Sequence, residues 1–429
     1  MRSRRCRGSG LTDELAARRL QVARQVAHWQ IATVGLRDVT NFAAESAWRS
    51  LERYLDVALR SHLEGAADQL ARRAAVLAAE LRAATTAADL EQVRVHVVQF
   101  RRRYLQVETA LTFFGEAINS RTTPRLGALL RACDSLALTS MEGVLRPLRR
   151  EMPPVLTYVD KGLGASILRA GLRLWDGGTL SPAAAIKITR QNLLRPTALI
   201  HESGHQVAHI LGWNEELAAA LGHGLAESPD VAEAWAATAS EIAADCFAFV
   251  HTGYGSVAAL HDVVSGGPTV FRRVPGDPHP VAYIRVLLGV QMCVRFYGAG
   301  PWDDLARAWI ASYPLEQAEA GTRSLLERSV PLLPRIVEIC LRTPMRAFGG
   351  RPLTAWIDPL RVRPDALAQL ARDAGGSIGS PAWLGRESLR LLALSSLRYA
   401  TEPERAEEIA KECEAWMLSL GEEQVPKAA

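Results

Sequence analysis

The residues best suited to chemistry stand in one short stretch, His201-Glu202-Ser203-Gly204-His205. Two histidines at i and i+4 of a helix present both imidazoles on one face, within reach of a single tetrahedral zinc ion. Glu202 follows the first histidine directly, so its carboxylate reaches a water on the metal without binding the metal itself. The chemistry expected of such a set is hydrolysis. Zinc draws the pKa of its water towards about 7 and polarises a carbonyl, and Glu202 takes the proton and returns it to the leaving group. Chance produces this pattern at a frequency on the order of 1% in a chain of such composition, so it gains weight only with a third ligand.

A histidine six residues beyond His205, preceded by a glycine three residues beyond it, would supply one. Ala208 and Leu211 occupy those positions and exclude that solution. The other solution is a glutamate from a second helix, with an aspartate four residues later. Ser240-Glu241-Ile242-Ala243-Ala244-Asp245 provides it on an apolar helix. Glu241 would bind the metal, and Asp245 on the same face would accept a hydrogen bond from the far nitrogen of a ligating histidine, fixing its tautomer. Without the upstream histidines the two acids would read as the polar stripe of an amphipathic helix. His209 has drifted off the metal-facing line and reads as a packing residue. His223 with Glu227 is a competing i, i+4 pair in a glycine-flanked segment. His251 and His261 lie near a loop, Cys246 reads as a buried thiol, and His28 and His96 have no neighbouring signal.

A third element follows at His279-Pro280-Val281-Ala282-Tyr283-Ile284-Arg285. In this order, HExxH, ExxAD and HPxxxxR resemble the gluzincin zinc metallopeptidases of the CAAX prenyl protease and stress-protease type, over the span Ala185–Arg285. The resemblance implies a zincin-like core holding one zinc ion per chain, with His201, His205 and Glu241 as ligands and Glu202 as general base. It implies Asp245 as a support for the ligands, and His279 with Arg285 as substrate-side or supporting groups. The oxyanion of the reaction needs a donor, for which His279 and Tyr283, four residues apart near a helix start, are the candidates. The implied substrate is an intracellular protein or peptide, with a regulatory partner as a further expectation. Two other readings use the same residues: a zinc hydrolase of a small amide or biosynthetic intermediate, and a binding or scaffold protein with zinc as a staple. Glu202 would have no use in the last.

Several elements must position these residues, and the pattern predicts a mainly α protein with a small β-sheet. With 429 residues, 48% of them hydrophobic, a sizeable core is assured. Residues 1–10 read as a disordered basic tail, 11–150 as an N-terminal helical region, 151–345 as the catalytic domain and 346–429 as a C-terminal helical region. Leu15, Val22, Val26 and Trp29 recur at helical spacing, as do Trp48, Leu51, Leu55, Ala58, Leu59 and His62. Arg101-Arg102-Arg103 reads as a solvated face. Pro153-Pro154 ends the first region, and Val155 to Val159 and Ala185 to Thr189 are the strand candidates, the second placed as an edge for an extended peptide. A helix is expected over Val231 to Phe249. A net charge of +4 gives no reason to expect nucleic acid as the main partner. Six scattered cysteines without a CxxC pair suggest a reducing, cytoplasmic setting. No apolar run reaches the roughly 18 to 20 residues of a membrane span.

Overall fold

Alanine- and leucine-rich stretches with apolar residues three and four apart favour long helices, and helices dominate the computed structural model, which describes residues 7–56, 58–162, 165–168, 183–274 and 276–423. Two compact units divide the described residues at Thr122/Thr123.

The first unit contains α1 (Arg7–Arg37), α2 (Glu45–Leu55), α3 (Leu59–Ala83) and α4 (Ala87–Ser120). Residues 1–6 of the expected tail lie outside the described residues, and α1 already begins at Arg7. The stripe from Trp48 to His62 does not lie on one helix. Asp56 takes a left-handed conformation (φ 53°) and ends α2, so helical spacing continues across a break that the side chains do not announce. A capping box between Thr86 and Asp89 starts α4. Leu90, Val93, Val97, Phe100, Tyr104 and Val107 form its buried face, while Arg101, Arg102 and Arg103 are exposed.

The second unit opens with α5 (Pro124–Leu145), which packs on β1 (Val155–Val159). The buried carboxylate of Asp134 accepts the backbone N–H of Thr157 at 2.7 Å and ties the two together. With β2 (Ser166–Leu168) and β3 (Ala184–Ile188) the sheet has the order β1-β3-β2, β1 parallel and β2 antiparallel to β3. Val155 stands opposite Ala184, and Ile167 opposite Ile186. The strand expected as an open edge is therefore the central one, its backbone paired on both sides, and no peptide can add to it. Trp175-Asp176-Gly177-Gly178, a glycine-containing stretch between the two expected strands, lies outside the described residues.

From β3 the chain turns through Arg190–Asn192 into α6 (Thr197–Leu211), which ends at Gly212 with φ 66°. Then come α7 (Trp213–Gly224), α8 (Pro229–Ala237) and α9 (Ala239–Thr252). The single helix expected over Val231 to Phe249 is interrupted at Thr238, whose hydroxyl bonds the Trp235 carbonyl at 3.1 Å. After α10 (Tyr254–Val264) a proline-containing loop leads to α11 (Ala282–Tyr297). The remaining helices are α12 (Pro301–Ser312), α13 (Ala320–Ser329), α14 (Leu333–Arg342), α15 (Pro364–Ala374), α16 (Pro381–Thr401) and α17 (Ala406–Glu423). Here α16 packs on α9 and α10, and α17 on α5. Cys133, Cys246, Cys293, Cys340 and Cys413 are buried, with no disulfide among the described residues. None of the described helices is long and apolar enough to cross a membrane.

Candidate metal centre

Helices α6 and α9 cross in close contact, and Gly204 is what permits it. A Cβ on Gly204 would stand 2.9 Å from both Ala244 Cα and Phe247 Cβ. A glycine inside a helix costs roughly 1 kcal/mol relative to alanine, and here the helix gains a neighbour at backbone distance. One residue to either side, Ser203 and His205 are buried with it, Ser203 donating to the Leu199 carbonyl at 2.9 Å.

This approach brings Glu241 against both histidines. His201 Nε2 lies 3.4 Å from Glu241 Oε2, and His205 Nε2 lies 3.3 Å from Glu241 Oε1. One ligand atom from each of the three residues lies within 4.8 Å of the others, so His201, His205 and Glu241 form a group that could hold a metal ion. The spacing suits the donors. Bonds of 2.0–2.2 Å at tetrahedral angles separate two ligand atoms by about 3.3 Å. The imidazole rings are edge to face, at 88° between planes. Their other nitrogens are also engaged: His201 Nδ1 lies 2.9 Å from Asp245 Oδ1, and His205 Nδ1 lies 3.4 Å from Ser240 Oγ. With each Nδ1 engaged in this way, Nε2 is the nitrogen that both rings present to Glu241.

Arg285, from α11, is buried behind the carboxylates. Its Nε and Nη2 donate to the two oxygens of Asp245 at 2.6 and 2.8 Å, and Nη2 also reaches Glu241 Oε2 at 3.2 Å. Arg285 also lines the cavity that holds these groups. Its charge, with the histidine contacts, overcomes burial and holds Asp245 down at about 2 and Glu241 well below the carboxylate range. Burial would lower the His201 imidazole, but hydrogen bonds to Asp245 and Glu241 outweigh it and push its pKa up to about 9. A buried position that holds a proton between two carboxylates suits a cation of higher charge. Burial is also the main reason why the Glu202 carboxyl is raised above its ordinary value, the histidines opposing it.

Glu202, His201 and Glu241 line a cavity of about 250 Å³, and His279 lines it with them. His279 is 55% exposed, with Nε2 3.4 Å from Glu241 Oε2 and Nδ1 2.6 Å from Asp277 Oδ1. It is not among the three mutually close ligands. Asp277 also accepts the backbone N–H of His279 at 3.0 Å, so it sets both the loop and the ring.

The structure brings His201, Glu202, His205, Glu241, Asp245, His279 and Arg285 together and leaves Tyr283 out. Tyr283 is only 2% exposed, packs against Phe271 and Trp309, and does not line the cavity. Its spacing from His279 straddles the start of α11, and the first turn directs it into the aromatic core. His209, His223 and Glu227 are exposed and away from the group, and His251 is buried, its pKa pushed down to about 3 by burial. Sequence reasoning passed over Gly204, Ser240 and Asp277. A glycine inside an otherwise strong helical pattern was the available signal for the first, and an acid two residues before a singled-out histidine for the last. No family model, curated protein or solved structure matches the chain.

Proposed function

We propose that the chain is a zinc-dependent hydrolase of the gluzincin kind, cleaving an amide bond of a protein or peptide. The observation that carries this reading is the buried His201, His205 and Glu241 group, with Glu202 beside it at the end of a cavity. A zinc ion bound there supplies a Lewis acid and lowers the pKa of water towards about 7. Glu202, raised by burial, is suited to accept a proton from water and pass it to the departing amine. Asp245 orients His201, Ser240 orients His205, and Arg285 keeps both acids ionised. His279, held by Asp277 at the cavity mouth, is assigned to the carbonyl oxygen of the substrate. With Tyr283 in the core, this role has no second candidate on that helix turn.

A small amide as substrate is the second reading, favoured by the pairing of β3 on both sides, which removes the expected seat for an extended peptide. The test is Glu202→Gln compared with the natural chain by metal analysis and by a proteome-wide search for new peptide termini. Both proteins are expected to hold about one zinc per chain, with turnover reduced on the order of 100 to 10,000-fold in the variant. Undiminished cleavage by zinc-replete Glu202→Gln would overturn the assignment. Equal termini from both proteins, with loss of activity only on small amides, would select the second reading.

A further inference from the structure

The cavity has two chemically different ends. One carries His201, Glu241, Glu202 and His279; the other is walled by Ala248 and Phe249 of α9, Val257 and Leu260 of α10, and Leu288 and Met292 of α11. The charges near this second end are already matched. Arg195, at its rim, pairs with Asp262 at 2.7 Å and lies 4.6 Å from the ring centroid of Tyr399, while Arg285 is taken up by Asp245 and Glu241. A charged group entering here would lose its water and find no counter-ion, whereas an apolar group would lose only water contact. The volume of about 250 Å³ is also informative. That figure covers both ends, and since an apolar cavity of about 150 Å³ accepts benzene, the space admits a ring beside the metal-ligand group.

We infer that this end of the cavity is a selectivity pocket for a large, uncharged apolar group, aromatic or long aliphatic, carried next to the carbonyl that the metal group attacks. The inference rests on the proposed hydrolase reading and adds the side-chain class of its substrate. The pocket and the metal group share one cavity, so a carbonyl at the ligands places its neighbouring substituent against α10 and α11. Filling the pocket should improve binding on the order of 10 to 100-fold over a methyl group.

The test is a binding measurement on the full chain loaded with cobalt, read from the visible spectrum of the ion. Hydroxamates bind through the metal and extend a chain of chosen chemistry. We expect 3-phenylpropanohydroxamate to bind on the order of 10 to 100-fold more tightly than acetohydroxamate, and a hydroxamate of similar length ending in a carboxylate to lose that advantage. Ala259→Phe, at a half-buried pocket position on α10, should bring the phenyl compound within about threefold of acetohydroxamate, whose own affinity stays unchanged. Equal affinities for acetohydroxamate and the phenyl compound in the natural chain would overturn the pocket while leaving the metal reading intact, whether or not the variant folds. No spectral response to either compound, on protein holding one equivalent of cobalt, would remove the open coordination position and both proposals with it.

Discussion

The two units differ in the charge they bury. In the first, ion pairs such as Arg18–Glu14 (2.6 Å) leave both side chains more than half exposed, and Thr33 is the only buried polar residue among those described. In the second, Glu202, Glu241 and Arg285 are buried side by side, with Asp245 and His201 nearly so. A helical core needs no such cluster, because apolar side chains of the same volume serve stability as well or better. Charges gathered in a cavity, each held by another, are what a site needs to position a cation and move a proton.

The widest separation between the units is expected from removing one cation in each. Arg285→Met leaves Asp245 and Glu241 without their buried partner and should cost about 3 to 5 kcal/mol, whereas Arg18→Met should cost about 1 kcal/mol or less. Urea unfolding of both variants measures the difference. A loss at Arg285 as small as that at Arg18 would mean that the cluster is not a coupled unit.

Acidity sharpens the same contrast. His201 in metal-free protein has its pKa raised to about 9 from 6.5. Its contribution is therefore fully present below pH 6.5 and disappears as pH rises through about 9, a loss of roughly 2 to 4 kcal/mol. Chelator-treated protein should melt at progressively lower temperature over that interval, and the zinc-loaded form much less so, because the metal replaces the proton. Parallel melting curves with and without zinc would show that His201 does not bind it. At the other limit, Asp245, lowered to about 2, stabilises above its unfolded value of 3.8 and loses that effect as pH falls through about 2.

Glycine gives the smallest effects, of opposite sign in the two units. Gly204→Ala forces α6 and α9 apart and should destabilise by about 1 to 3 kcal/mol, with weaker metal binding. Gly65→Ala in α3 meets nothing within 4 Å and should stabilise by about 0.5 to 1 kcal/mol. Thermal melts and a zinc titration check both, and a neutral Gly204→Ala would show that the crossing has slack.

Within one helix, the sequence alone determined a great deal. The pairing of His201 with His205, and of Glu241 with Asp245, follows from a period that backbone hydrogen bonds impose on any helix, so four residues apart means one face wherever the chain later goes. The mainly helical class and the two strands were legible for the same local reason. Tertiary structure decided everything that joins distant segments. It made β3 central because β2 returned to its other edge, and it set α5 against the sheet through Asp134 and Thr157. It also turned Tyr283 towards Phe271 and Trp309 while Arg285, two residues on, met the acids of α9. Which face of one helix meets which face of another depends on shape and charge contributed by residues some forty positions apart, as with Gly204 against Ala244 or Arg285 against Asp245. No local period encodes that choice, because it is fixed only when the two surfaces pack.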